Sequence, residues 1–128
     1  MAGELILIIE DNEKNLKLAR DVLQFKSYRT LEARTAAEAI DLAAAHLPDL
    51  ILMDIQLPDM DGITALRRLM SEPRTAAIPV IALTAFAMKG DRERFLGAGF
   101  DGYLVKPINI KEFSEQVRQF CERARKEG

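Results

Sequence analysis

The chain has 128 residues, of which 48% are hydrophobic and 30% are charged, and its formal net charge is −2 at pH 7. This length and composition predict one globular domain, residues 1–128, with a core of its own. The nearly balanced charge gives no indication of a nucleic-acid or membrane partner. The single cysteine, Cys121, excludes an internal disulfide framework and a cysteine-based zinc site.

The start of the chain, MAGELILIIEDN, has too short an apolar stretch for a signal peptide and lacks a basic beginning. No apolar run in the sequence approaches the length that spans a bilayer. We therefore expect a cytoplasmic protein.

Short apolar runs alternate with longer helical patterns along the chain, as expected for strands that are connected by helices. In chain order, the predicted strands are ELILII (4–9), YRTLEA (28–33), DLILM (49–53), PVIALT (79–84) and YLV (103–105). The second run alternates in polarity, so we expect it nearer an edge of the sheet. The first, third and fourth runs are almost continuously apolar, which is typical of strands buried on both faces.

A helical pattern follows each predicted strand. In chain order, the predicted helical faces are Leu16, Ala19, Val22 and Leu23; Ala36, Ile40 and Ala43; Ile63, Leu66 and Met70; a segment through MKGDRERFLGA (88–98); and Phe113, Val117 and Phe120. Thr35 with Glu38 and Asn109 with Glu112 predict capped helix starts, whereas Gly90 weakens the start of the fourth helix. We expect the last helix to fray from about residue 124.

This alternation predicts an α/β fold with a doubly wound parallel sheet and helices on both faces. In such sheets the ligand crevice lies at the carboxyl ends of the strands, where the strand order reverses. The polar residues that follow the apolar runs are Glu10, Asp11, Asp54, Thr84 and Lys106. The topology therefore predicts that these side chains converge at one edge of the sheet.

Crowded carboxylates repel one another, which either raises their proton affinity or favours a bound cation. Mg²⁺ suits the predicted pocket, because this ion prefers oxygen ligands and needs only a few carboxylates. Asp54 could then act as a nucleophile on a phosphoryl group and form an aspartyl phosphate. Lys106 would offset charge on the phosphoryl oxygens, and the Thr84 hydroxyl would donate a hydrogen bond to one of them.

The segments IIEDN, LILMDIQLPDMDG, IALTAF and YLVKP occur in this order and together resemble the receiver domain of two-component response regulators. The resemblance covers essentially the whole chain and implies a flavodoxin-like fold with strand order 2-1-3-4-5. It implies phosphorylation of Asp54 and a bound Mg²⁺, for which Mn²⁺ can substitute. The implied ligands are Glu10, Asp11, Asp54 and the backbone carbonyl of Gln56. Glu10 is a departure, since many members carry Asp there.

The resemblance also implies that Thr84 and Lys106 contact the phosphoryl group, that Tyr103 is the switch aromatic, and that the Lys106–Pro107 peptide bond is cis. Phosphorylation is expected to draw Thr84 inward and to let Tyr103 turn toward the vacated space. The partner surface that repacks is then predicted to include Phe86, Met88, Phe95 and Ile108.

The implied partners are a sensor histidine kinase or a histidine phosphotransfer protein as phosphodonor, and a downstream regulatory protein as target. The chain would be a phosphoacceptor and not an enzyme, and a monomer or weak dimer. A narrower resemblance is to the DivK-type single-domain regulators of cell division and the cell cycle. It is carried by EDNEKNLKL, PDLILMDIQLP and LTAFAMKGDRERFLGAGFDGYLVKPI.

Three alternatives remain at this point. A small phosphatase of the haloacid dehalogenase type also uses an Asp nucleophile, but Gln56 stands where that class has a second Asp. A flavodoxin-like cofactor binder needs backbone N–H groups and hydroxyls that donate hydrogen bonds to a phosphate after the first strand. Glu10 and Asp11 occupy that position and would repel the phosphate. A receiver cut from a larger regulator or hybrid kinase is the third, although Met1 and the ending after a full helix favour a free-standing protein.

The remaining polar residues have plainer interpretations. Asp59 and Asp61 are interpreted as solvated loop acids, with Asp61-Gly62 as a turn, and Asp49 precedes its strand at the wrong end for the site. His46 is interpreted as a cation at a helix terminus, and Cys121 as a packing residue.

Overall fold

The computed structural model describes residues 3–85 and 90–127, with side chains described as far as Glu122. Strands and helices alternate in the described ranges: β1 (Leu5–Ile9), α1 (Glu13–Phe25), β2 (Arg29–Ala33), α2 (Ala36–His46), β3 (Leu50–Asp54), α3 (Gly62–Ser71), β4 (Val80–Thr84), α4 (Asp91–Ala98), β5 (Gly102–Val105) and α5 (Ile110–Glu127). Every predicted strand is present, and each end lies within one residue of its predicted position.

The strands form one parallel sheet in the order β2-β1-β3-β4-β5, as predicted. The first strand, β1, lies inside the sheet, with β2 paired on one side of it and β3 on the other. The order therefore reverses between β1 and β3, where Ile9 lies beside Met53. A crevice forms at such a reversal because the connections on its two sides lead away in opposite directions.

The core has two layers, one on each face of the sheet. One layer packs α2, α3 and α4 against side chains such as Ile9 and Met53, and the other packs α1 and α5 against side chains such as Ile8 and Leu52. The central strands β3 and β4 are buried along their whole length. The site edge of the sheet therefore rests on backbone that solvent does not reach.

The helical faces agree with the predicted spacing, with one exception. The predicted face of α1 is buried, and so are Phe113, Val117 and Cys121 on α5. Met70 lies in α3, as the sequence predicts, but it is 48% exposed. The buried stripe of that helix is centred on Leu66 and Leu69, so Met70 lies at its margin.

The helix starts are capped largely as the sequence predicts. Thr35 Oγ1 accepts a hydrogen bond from the Glu38 N–H at 3.2 Å, and Asn109 Oδ1 accepts one from the Glu112 N–H at 3.0 Å. The Glu38 carboxylate accepts from the N–H of Arg34, one residue before the cap. The predicted beginning of the fourth helix, residues 88–89, lies outside the described residues, and α4 is described from Asp91.

At the amino ends of the strands, aspartates form hydrogen bonds that hold neighbouring strands together. The Leu5 N–H donates to Asp49 Oδ2 at 2.8 Å, while the Asp49 N–H donates to the Leu5 carbonyl at 2.7 Å. Val80 and Asp101 form the same reciprocal pair, with both distances 2.8 Å. Asp49 thus lies at the end of the sheet that the sequence predicts, away from the candidate site.

The outer strands are short, and β2 carries charge. Its Arg29 side chain is exposed, and its Glu32 carboxylate forms an ion pair with Arg20 of α1 at 3.1 Å. The other outer strand, β5, has four residues. Among the described residues, no helix has both the length and the apolar character needed to cross a membrane.

We predict opposite effects for two glycine-to-alanine substitutions. A Cβ on Gly102 would lie 2.6 Å from the ring of Phe120 on α5, so Gly102→Ala should lower the free energy of unfolding by about 1–3 kcal/mol. A Cβ on Gly97 in α4 meets nothing within 4 Å, so Gly97→Ala should raise it by about 0.5–1 kcal/mol. Urea unfolding measures both, and equal effects would contradict the packing of α5 on β5.

Candidate functional site

The predicted strand ends meet in one acidic pocket. Glu10 follows β1 and Asp54 is the last residue of β3, and only 1% and 4% of these residues is exposed to solvent. Asp11 and the backbone around Gln56 also line the pocket, and Asp11 is exposed to solvent. The pocket thus has a buried floor and one side that is open to a ligand.

Lys106 joins the two buried carboxylates. Its Nζ donates to Glu10 Oε1 at 2.8 Å and to Asp54 Oδ2 at 2.9 Å. The backbone of Lys106 is held beside β4, because its N–H donates to the Thr84 carbonyl at 2.7 Å. The Lys106–Pro107 peptide bond is cis. The structure therefore places the ammonium group of Lys106, the residue after β5, between the two buried carboxylates.

The two oxygens of Asp54 have different partners. Oδ2 accepts from Lys106, and Oδ1 accepts from the Gln56 N–H at 2.9 Å. A buried carboxylate that is ionised needs such partners, because an unpaired charge away from water is very costly. These contacts orient the carboxylate at the mouth of the crevice.

The charges in the pocket shift one another's pKa. Burial raises the pKa of the Glu10 carboxyl to about 7, and its hydrogen bond with Asp54 adds to this rise. Burial alone would raise the pKa of Asp54, but hydrogen bonds with Glu10 and Lys106 hold it below its usual value. For Lys106, burial favours the neutral amine, but hydrogen bonds with the two carboxylates raise its pKa. Three carboxylates surround this one ammonium, which leaves negative charge that a proton on Glu10 or a further cation can offset.

The remaining negative charge fits a hard divalent cation. One carboxylate oxygen from each of Glu10, Asp11 and Asp54 lies within 4.8 Å of the others. All three donors are oxygens, the ligand type that Mg²⁺ prefers, and the exposed side leaves space for the waters that this ion keeps. The donor set therefore fits the cation that the sequence predicts.

Thr84 lies on β4, the strand next to Asp54, and Tyr103 lies on β5, one strand further out. Thr84 is the last residue of β4 and is buried, and it lies beside Val105 of β5. Tyr103 is half-buried, and its ring centroid lies 5.7 Å from that of Phe95 on α4. This arrangement places a hydroxyl and an aromatic ring on the side of the site that faces α4.

The predicted partner surface is only partly described. Phe86 and Met88 lie outside the described residues, and Ile108 is half-buried against the layer of α1 and α5. The placement of Phe95 on that surface is wrong for this conformation, because its side chain is 1% exposed. Its ring lies in the core next to Phe100 and Tyr103. Phe95 could therefore affect the surface through neighbours such as Tyr103.

Two acids next to the site have structural partners that the sequence interpretation missed. Asp61 is the N-cap of α3 and accepts from the Thr64 N–H at 2.9 Å. Asp59 accepts from the N–H groups of Ala36 and Ala37 at 2.9 and 3.0 Å. Both are exposed loop residues, as the sequence predicts, but each also accepts hydrogen bonds from backbone N–H groups at the start of a helix. A capping pattern could have found Asp61, whereas no local pattern indicates a contact across 23 residues.

We predict that Lys106→Met destabilises the metal-free protein. The substitution removes the ammonium that two buried carboxylates share, and breaking such a pair should cost about 3 kcal/mol. Urea unfolding in the presence of a chelator measures the loss, with Lys111→Met on the exposed face of α5 as the control. Equal stability of the two variants would contradict the role of Lys106 in the pocket.

Comparisons with known proteins identify one family along most of the chain. The family profile described as the response regulator receiver domain matches residues 6–118. The polar-differentiation response regulators DivK of Brucella ovis and Brucella melitensis are each 47% identical to this chain over 115 residues, which cover 90% of this chain and 94% of theirs.

Solved structures give the same result. A CheY-like receiver domain protein from Methanospirillum hungatei matches with a TM-score of 0.89 and 29% identity, covering 99% of this chain and all of that one. The receiver domain of the sensor histidine kinase PA1611 from Pseudomonas aeruginosa, solved with magnesium in its active site cleft, matches with a TM-score of 0.86 and 36% identity. This match covers 94% of our chain and 99% of that domain. The chain therefore belongs to the response regulator receiver domain family.

Proposed function

We propose that Asp54 accepts a phosphoryl group from a sensor histidine kinase or a histidine phosphotransfer protein, and that the product changes a protein-binding surface. The observation that supports this most directly is the position of Asp54. Its carboxylate is buried at the crevice where the strand order reverses, 2.9 Å from the ammonium of Lys106. A nucleophile there has a fixed direction of attack and a cation beside it.

In the proposed transfer, a carboxylate oxygen of Asp54 attacks phosphorus and forms a P–O bond. The P–N bond of the donor phosphohistidine breaks, and its electron pair returns to the imidazole, which then takes a proton from water. Mg²⁺, or Mn²⁺ in its place, would be held by Glu10, Asp11, Asp54 and the Gln56 carbonyl, and would supply positive charge to the phosphoryl oxygens. Lys106 Nζ, which donates to the Asp54 carboxylate before the transfer, would donate to the phosphoryl oxygens after it.

The response would travel through Thr84 and Tyr103. A phosphoryl group brings a charge of about −1.5 to −2, and the Thr84 hydroxyl could donate a hydrogen bond to one of its oxygens. The Tyr103 ring would then turn toward the space near Thr84 and alter its packing on Phe95. Two arrangements of the surface formed by α4, β5 and α5 would thus have populations that depend on phosphorylation, and a downstream protein would bind one of them.

We further propose that this switch acts in cell-division or cell-cycle signalling, as a single receiver domain. Support comes from the polar-differentiation regulators DivK, because the similarity to this chain covers 94% of their length. The likeness to a receiver domain of a sensor histidine kinase supports the alternative of a receiver within a larger protein. Phosphotransfer profiling against the purified histidine kinases of the same genome would identify the donor, and pull-down with the phosphorylated form would identify the target.

We predict that Asp54→Asn abolishes labelling by a radioactive phosphodonor in the presence of Mg²⁺, because the amide is not a nucleophile. The wild type should acquire one acid-labile phosphoryl group per chain. Asp61→Asn is the matched control, since Asn caps helices well and leaves the pocket unchanged. Full labelling of Asp54→Asn would refute the site, and loss of labelling in Asp61→Asn would show that the assay reports on loop folding.

We predict that Thr84→Ala separates phosphorylation from the switch, because labelling needs Asp54 whereas the response needs the Thr84 hydroxyl. The sequence has two tyrosines and no tryptophan, so Tyr28→Phe leaves Tyr103 as the only tyrosine. In that background, phosphorylation should change tyrosine fluorescence, and the change should disappear when Thr84→Ala is added. A change of full size in the double variant would contradict the coupling between Thr84 and Tyr103.

A further inference from the structure

The loop between β3 and α3, residues 55–61, forms one wall of the acidic pocket through Gln56, Leu57 and Pro58. Its two ends are held close together, because the Gly62 N–H donates to the Ile55 carbonyl at 2.8 Å. Gln56 and Asp61 also form an antiparallel bridge. A Cβ on Gly62 would lie 2.9 Å from the Ile55 Cα, so this approach requires glycine.

The tip of the same loop is bound to a different element. Asp59 Oδ1 accepts from the Ala36 N–H at 2.9 Å, and Oδ2 accepts from the Ala37 N–H at 3.0 Å. These are the first two residues of α2, where helix N–H groups have no partner within the helix. A carboxylate is also favoured there by the helix dipole. The two N–H groups hold the pKa of Asp59 below its usual value.

Helix α2 is a firm anchor for this contact. Its buried face, Ala36, Ala39 and Ala43, is at most 1% exposed and packs in the layer that covers the sheet. Its first turn has its own cap, since Thr35 Oγ1 accepts from the Glu38 N–H. Asp59 is therefore an additional contact, and its two bonds connect the pocket wall to a helix that is fixed independently.

We infer that Asp59 is a positioning residue for the cation site and acts through Gln56. The Gln56 N–H orients the Asp54 carboxylate, and the Gln56 carbonyl is a proposed ligand of the cation. Asp59 lies three residues further along the loop, so its bonds to α2 limit how far Gln56 can move. Partners that orient metal ligands in this way contribute to metal affinity without touching the ion. This inference rests on the proposed function.

The test compares Asp59→Ala with Thr35→Ala. Both variants remove hydrogen bonds to the first turn of α2, but only the first releases the loop. Calorimetric titration with Mg²⁺ should show an affinity about tenfold lower for Asp59→Ala, the loss typical of removing a partner that orients a ligand. Thr35→Ala should bind Mg²⁺ like the wild type, although its melting temperature falls.

Two further measurements complete the test. Asp59→Asn keeps one acceptor, so it should show a smaller loss of Mg²⁺ affinity, and it replaces Asp59→Ala if that variant does not fold. In the metal-free protein, the backbone N–H of Gln56 should exchange its hydrogen faster in the Asp59 variants than in Thr35→Ala, because only the Asp59 variants release the loop that carries Gln56.

The inference is overturned if the Asp59 variants bind Mg²⁺ with wild-type affinity, or if Thr35→Ala loses as much affinity as they do. In either case the proposed function stands, provided that the wild type binds Mg²⁺ and is labelled at Asp54. A wild type that neither binds Mg²⁺ nor accepts a phosphoryl group would overturn the proposed function and this inference together.

Discussion

One ammonium group shared by two buried carboxylates is the interaction on which the site depends. Lys106 contacts Asp54, 52 residues earlier, and Glu10, 96 residues earlier. The parallel sheet makes this contact possible, because it brings the carboxyl ends of β1, β3 and β5 to the same side of the molecule. Since Asp11 adds further negative charge, the pocket remains acidic even with Lys106 in place. This imbalance favours a divalent cation, whereas hydrogen bonds with Glu10 and Lys106 keep Asp54 ionised at a position where a carboxylate would otherwise be costly.

Aspartates serve different purposes at the amino ends and the carboxyl ends of the strands. At the strand beginnings, Asp49 and Asp101 each exchange two hydrogen bonds with a neighbouring strand, so their charge is used for pairing. At the strand ends, Asp54 has contacts that leave it facing an open crevice. The same residue type is structural at one edge and available for chemistry at the other. The buried β3 between these edges holds the reactive carboxylate on rigid backbone.

The sequence is sufficient to predict the sheet and most of the pocket. Each strand is a local apolar run. Asp54 and Lys106 stand at the ends of two such runs, so the sequence predicts that they lie on the same side of the sheet. Features that depend on packing between distant segments are not predictable in this way. Asp59 looks like a solvated acid until α2 is seen beside it, and Phe95 looks like a surface residue until Tyr103 covers it. Met70 matches helical spacing, but spacing alone does not say where the buried stripe ends.

The outer strands have a consequence for how copies of this protein meet. An open sheet can grow by adding a strand from another molecule, which leads to aggregation. Here β2 carries the exposed Arg29 and the Arg20–Glu32 ion pair, and β5 has four residues before Lys106 and Pro107. Charge, brevity and a residue without an N–H group all discourage such growth. Both outer strands of the sheet are therefore poor templates for adding a strand from another copy of the chain.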